Sequence, residues 1–280
     1  MTPRESINIR DPFVLVHEGK YYLYGTRGPE CWGKGTGLDC YVSTDLEHFE
    51  DPVEVFTPWE GFWADKNYWA PEVHKYKDAF YMFVSFKADG VCRGTQILKA
   101  DNPLGPFKEH SKGPVTPKDW ECLDGTLYLE PSKGNKPYII FCHEWVQITD
   151  GTICALELSD DLSETIGEPK VLFHASEAPW IVDIRNGNYV TDGPFAYRDD
   201  KGEVSLLWSS FGKEGYTMAI AKSKSNTIDG PWEQVPTPLF SKDGGHGMLF
   251  KALDGRLMGT LHTPNTDLDE RPYFFEVKSI

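Results

Sequence analysis

Five times along this chain a short phrase returns: an apolar run, a turn rich in Gly, Asp or Asn, and a second aromatic or β-branched run. Its first instance, Ile7 to Thr26, reads INIRDPFVLVHEGKYYLYGT. Phe13-Val14-Leu15-Val16 and Tyr21-Tyr22-Leu23-Tyr24 flank His17-Glu18-Gly19-Lys20, which is the pattern of a β-hairpin. Pro12 cannot donate to a ladder, so it marks a strand start or an edge, and Asp11 is carried at the mouth of that strand.

The second unit opens with Tyr68-Trp69-Ala70-Pro71-Glu72-Val73 and the third with Leu123-Asp124-Gly125-Thr126. The fourth opens with Tyr189-Val190-Thr191-Asp192-Gly193-Pro194-Phe195 and the fifth with Gly245-His246-Gly247-Met248. Each continues through a turn into a second strand and then a third. Units of roughly 50–60 residues that each hold three or four strands are the signature of a β-propeller. One blade cannot bury its faces alone, so residues 1–280 are expected to form a single five-bladed, all-β domain.

Composition narrows the ligand. A net charge of −15 and a pI near 4.9 argue against nucleic acid, whose phosphates need Lys and Arg. A neutral or weakly charged ligand is expected. No run approaches the roughly 20 apolar residues of a membrane-spanning helix, so no membrane partner is expected. MTPRES lacks an apolar signal core, which fits a cytoplasmic protein or one whose export signal is not part of this chain. The six Cys show no metal or haem spacing and are expected as free, mostly buried thiols. No feature of the sequence specifies an oligomeric state.

In a propeller the first strand of each blade lines the central channel. The residues leading those strands are Asp11, the Trp69-Ala70-Pro71 group, Asp124, Asp192 and His246. Asp before Pro or Gly is ordinary turn chemistry, and Trp69 and His246 could each be core residues. The three Asp are expected at equivalent phases of three different blades, which turn chemistry does not require. Carboxylates, an indole and an imidazole converging on one concave site outline an active site. A tryptophan face suits the apolar C–H side of a sugar ring.

The ordered phrases Arg10-Asp11-Pro12-Phe13, Trp69-Ala70-Pro71-Glu72-Val73, Leu123-Asp124-Gly125-Thr126, Asp192-Gly193-Pro194-Phe195 and Gly245-His246-Gly247 resemble glycoside hydrolase family 43 over nearly the whole chain. The resemblance implies a five-bladed propeller of inverting, mostly exo-acting enzymes on arabinose, xylose or galactose linkages. It implies Asp11 as general base and Asp124 as the carboxylate that orients the acid and tunes its pKa. His246 then matches a residue near the axis that contacts a calcium through water. That ion would be structural, and no redox or organic cofactor is required. Arg10, Trp69, Trp145 and His246 are the expected substrate contacts.

One departure stands out. The family's general acid is a Glu in a Glu-Gly-Pro phrase, and here that place is held by Asp192, one methylene shorter by about 1.5 Å. Asp192 remains the expected acid, with Glu144 in Cys142-His143-Glu144-Trp145 as its rival. The expected reaction is exo-hydrolysis releasing α-L-arabinofuranose. A β-xylosidase, an exo-β-galactosidase and a non-catalytic carbohydrate-binding propeller stay open as alternatives.

Overall fold

The opening hairpin forms as its turn chemistry dictates: Ile9–His17 pairs with Lys20–Arg27 across Glu18 and Gly19. Both loop residues have positive φ, +47° and +73°. That is the backbone a two-residue turn needs to match the right-handed twist of its strands. The computed structural model describes residues 1–184 and 186–280. Their strands gather into five antiparallel sheets, each built from one consecutive stretch of chain.

Blade one continues outward from that hairpin through Leu38–Ser43, with His48–Phe49, Val53–Phe56 and Thr2–Pro3 at its rim. Blade two holds Lys66–Tyr76, Ala79–Ala88, Val91–Ala100 and Lys108–Pro114. Blade three holds Cys122–Glu130, Lys136–His143, Thr152–Leu158 and Thr165–His174. Blade four holds Asp192–Arg198, Val204–Gly212, Gly215–Ser223 and Trp232–Gln234. Blade five has three strands, Gly245–Lys251, Leu257–Thr263 and Arg271–Glu276. The innermost strand of blade five packs against that of blade one, which closes the ring.

The second strands read as continuous apolar runs because neighbouring blades cover both of their faces. Phe80 through Phe86 are all buried, and Phe86 meets Phe56 of the first blade, Phe62 of the loop that follows it and Tyr68 of its own blade's first strand. Trp208, with no exposed surface, meets Phe173 and Trp180 at the junction of blades three and four. Side chains reinforce closure. Asn8 Nδ2 donates to the Leu268 and Glu270 carbonyls at 3.0 Å each, and Arg271 Nε donates to the Glu5 carbonyl at 2.7 Å. All six cysteines are free, and five of them are buried.

What positions the axis is a bulge repeated in every blade. Pairing shifts register between Arg10 and Phe13, Trp69 and Glu72, Leu123 and Thr126, Asp192 and Phe195, and Gly245 and Met248. Inside each shift one residue is left-handed: Asp11 at φ +54°, Ala70 at +48°, Asp124 at +58°, Gly193 at +51° and His246 at +49°. A bulge re-aims its side chain and leaves a backbone group unpaired. Four of the five unpaired N–H groups donate to a side chain on the second strand of the preceding blade. Ala70 donates to Thr26 Oγ1, Asp124 to Ser85 Oγ and His246 to Ser209 Oγ at 2.8 Å each, and Asp11 to His262 Nδ1 at 3.1 Å.

This ring corrects one expectation. Asp11, Asp124 and His246 are bulge residues, but the bulge residue of blade four is Gly193. Asp192 lies one position earlier, in phase with Arg10 and Trp69. The Asp residues therefore do not share one phase.

Replacing Ser209 by Ala should leave the buried His246 N–H without its acceptor. The expected loss is about 1–3 kcal/mol of unfolding free energy, read from urea denaturation. A loss within error of zero would mean that these junctions do not hold the blades in register.

Candidate active site

Asp11 is the most heavily supported carboxylate. Thr26, a buried hydroxyl opposite Arg10 in the pairing register, donates to Asp11 Oδ2 at 2.6 Å while accepting the Ala70 N–H. His246 Nδ1 lies 3.1 Å from Asp11 Oδ1. Burial works to raise this carboxyl, but His246, Arg10 and the Thr26 hydroxyl together hold it below the ordinary value of 3.8. Asp11 is therefore an anion at neutral pH.

The neighbouring His262 is fixed as a neutral ring. Its Nδ1 accepts the Asp11 N–H, so the ring proton sits on Nε2, 3.0 Å from Asn265 Oδ1. Burial lowers its pKa to about 4. The 3.5 Å approach of Asp11 Oδ1 to the same Nδ1 is accordingly not an ion pair. Asn265 Oδ1 also accepts from Arg10 Nη2 at 2.7 Å, and Arg10 Nη1 donates to Glu270 Oε1 at 2.6 Å. A chain of hydrogen bonds thus fixes Arg10 beside Asp11.

Asp124 and Asp192 have the opposite electrostatics. Asp124 Oδ2 accepts the Gly193 N–H at 2.9 Å and lies 3.7 Å from His246 Nδ1. Burial, then the charge of Asp11, pushes its pKa well above the ordinary carboxylate value. Asp192 Oδ2 accepts the Tyr216 hydroxyl at 3.0 Å. Burial, then the charge of Asp124, raises Asp192 to about 7 despite His246 and that hydrogen bond. Two neighbouring carboxyls both shifted upward titrate as a pair and retain a proton near neutrality. Gly193 leaves room for the imidazole, since a Cβ there would lie 2.6 Å from the His246 ring.

These groups form the floor of a cavity. Asp11, Asp124, Asp192, Tyr216 and His246 surround an inner space of about 80 Å³. It opens beside a wider cavity of about 850 Å³, whose walls include Trp32, Trp69, Glu144, Trp145 and Asn265. Asp192 and Tyr216 border both spaces, whereas Asp11 and Asp124 border only the inner one.

Glu144 is on the wall, not the floor. It ion-pairs with Arg93, whose Nη2 reaches Asn67 Oδ1 at 3.3 Å. Burial raises the Glu144 pKa, and the guanidinium opposes that rise. A carboxylate committed to Arg93 is poorly placed as a proton donor, so the geometry favours Asp192 over its rival. Trp69 lines both spaces with its ring partly engaged. The Arg93 guanidinium covers its ring at 4.3 Å, and its Nε1 donates to the Cys31 carbonyl at 2.6 Å. The open indole is Trp32, 62% exposed at the cavity mouth, with Nε1 donating to Asp267 Oδ1 at 2.8 Å.

The fit of a calcium at His246 can be judged from its neighbours. Calcium takes six to eight oxygen ligands. His246 Nδ1 is turned to Asp11 and Asp124, and among the described residues no three His, Cys, Asp or Glu side chains are grouped to hold a metal ion. These residues do not form a protein cage for the ion, and no chemistry below passes through one. Thr26, Arg93, Tyr216 and Trp32 were not singled out from sequence. Only Thr26 carried a signal, as the polar residue that follows the apolar stretch Tyr21–Gly25 of its strand.

Comparison with known proteins agrees with this geometry. A family model described as "Glycosyl hydrolases family 43" matches residues 3–275. The chain is 25% identical to an extracellular exo-α-(1→5)-L-arabinofuranosidase of Cellvibrio japonicus, over 96% of this chain and 78% of that protein. It is 41% identical to an endo-arabinase of Bacteroides thetaiotaomicron, covering 99% of this chain and 97% of the other, with a TM-score of 0.91. A xylan β-1,4-xylosidase of Bacillus halodurans, at 19% identity, a TM-score of 0.73 and coverage of 97% and 53%, shares the fold.

The Arg93–Glu144 pair carries its own prediction. Arg93→Met leaves a buried carboxylate without its cation and should cost about 3–5 kcal/mol in urea unfolding. Adding Glu144→Gln should recover part of that loss. Equal stability of the single and double variants would show that the two charges do not depend on each other.

Proposed function

The chain belongs to glycosyl hydrolase family 43, and from that premise we propose that it is an inverting exo-hydrolase releasing terminal α-L-arabinofuranose. The observation that carries the reading is the split on the cavity floor. Asp11 is held ionised, and Asp192, on the same floor and open to the wider cavity, is raised to about 7. An inverting glycosidase needs one carboxylate as base and one carboxylic acid as proton donor. The sugar assignment draws on the two relatives whose names specify arabinose-containing linkages.

In this mechanism a water sits against Asp11, which takes its proton as the oxygen attacks the anomeric carbon. Thr26 and His246 fix the Asp11 carboxylate, one at each oxygen. Tyr216 donates to Asp192 Oδ2, leaving Oδ1 to present the acid proton to the leaving oxygen. Burial, and then the charge that Asp124 carries when ionised, raises the Asp192 pKa. Trp32 offers the exposed aromatic face at the mouth, a role the sequence suggested for Trp69.

An endo-acting enzyme is the second reading, favoured by the 41% likeness to an endo-arabinase. Digestion of linear α-1,5-arabinan separates the two. Arabinose as the sole early product, with anomeric configuration inverted in early proton NMR spectra, supports the proposal. Early arabino-oligosaccharides would select the endo reading, and retention would overturn the carboxylate assignment. Inactivity on every glycoside would favour a binding protein.

Asp192→Asn should preserve sugar binding but slow cleavage of natural linkages by about 10²–10⁴-fold, with a much smaller loss on an activated aryl glycoside. Glu144→Gln should show no such dependence on the leaving group. The reverse pattern would make Glu144 the acid.

The pH dependence follows from the same split. The base must be ionised, so kcat/KM should rise through a limb below the ordinary Asp value of 3.8. The acid must be protonated, so activity should fall through a limb near 7. The Tyr216 hydrogen bond lowers the Asp192 pKa, so Tyr216→Phe should move the alkaline limb to higher pH. An unmoved limb would mean that another group supplies the proton.

A further inference from the structure

Five residues hold the same place on the second strands, each paired with the residue before a bulge: Thr26, Ser85, Cys142, Ser209 and His262. Four of them accept the bulge N–H of the following blade through oxygen or nitrogen. The third is a thiol, whose sulfur is a weak acceptor. At that junction alone the bulge N–H, from Gly193, turns to a catalytic carboxylate and donates to Asp124 Oδ2 at 2.9 Å.

The same comparison holds within blades. In blade one the hydroxyl of Thr26 donates to the bulge carboxylate Asp11. In blade three Cys142 stands at the equivalent position beside the bulge carboxylate Asp124, and it has no exposed surface. The two aspartates thus share one backbone setting and differ in the atom supplied by their own second strand.

We propose that Cys142 is a positioning residue for Asp124: by withholding a good acceptor at this junction it directs the Gly193 N–H onto the Asp124 carboxylate. Asp124 is then held between the Gly193 amide and His246, beside Asp192. The inference rests on the catalytic reading above for its effect on rate, but the hydrogen bond can be tested without activity.

Two variants separate positioning from packing. Cys142→Ala removes the sulfur without supplying an acceptor, so Gly193 should keep its bond to Asp124. The lost packing should lower Tm by about 2–4 °C, with kcat and KM near the parent values. Cys142→Ser supplies a hydroxyl like those of Ser85 and Ser209, which should capture the Gly193 N–H. It should then lower kcat on arabinan by about tenfold or more with KM unchanged, since small displacements of catalytic groups are costly.

The Gly193 amide proton, assigned by NMR, provides the readout independent of turnover. Carboxylate bonding should hold it downfield in the parent and in Cys142→Ala, and it should move upfield in Cys142→Ser. Asp124→Asn serves as the reference for loss of the carboxylate. An amide unmoved in Cys142→Ser overturns the proposal. So does a moved amide with kcat equal in the two variants, which would leave Cys142 a packing residue. If the parent cleaves no glycoside, the catalytic reading fails while the amide comparison still decides whether Cys142 sets the bond.

Discussion

Each blade is tied to the next by a backbone N–H that its own sheet cannot satisfy. The left-handed bulge residue leaves this donor unpaired, and a buried unpaired donor is expensive. In blade four it is satisfied by the Asp124 carboxylate; in the other blades the preceding blade presents a side chain at one particular register position. Thr26, Ser85, Ser209 and His262 do so. The strained residues are the ones that aim Asp11, Asp124 and His246 inward. The interaction that holds the blades in register is thus also the one that builds the cavity floor, and the backbone strain resides at the functional residues.

Burying three carboxylates together is costly unless their environments differ. Asp11 receives a hydroxyl, an imidazole and a nearby guanidinium, which offset burial and keep it ionised. Asp124 and Asp192 receive one hydrogen bond each, so burial, with the charge of Asp11 acting on Asp124 and that of Asp124 acting on Asp192, raises both. The same residue type can be held ionised or protonated, as the proposed base and acid require, because the donors around it are unequal. His262 contributes as a neutral acceptor, and its tautomer is set by the Asp11 amide on one side and Asn265 on the other.

The strands and blades were legible because their determinants are local. Glu18-Gly19 sets a hairpin by itself, and a run such as Phe80-Tyr81-Met82-Phe83-Val84 announces a strand covered on both faces. Asp11, Asp124, Asp192 and His246 were legible as a group because each lies at the start of an innermost strand. Their exact phase was not, since the bulge position depends on an acceptor in another blade, as with Ala70 and Thr26, 44 residues apart. The wall was harder to read. Arg93 and Glu144 are 51 residues apart and on different blades, and nothing local to either signals the other. Tyr216 comes from a third strand whose sequence gives no sign that its hydroxyl reaches Asp192.

The central claim is that one floor holds an ionised base and a protonated acid, and carboxyl ¹³C NMR can follow each aspartate separately as pH changes. Asp11 should titrate below 3.8, Asp192 near 7, and Asp124 above the ordinary carboxylate range. Ionisation of Asp192 in the ordinary range near 3.8, with Asp11 holding its proton to neutral pH, would overturn the assignment of base and acid.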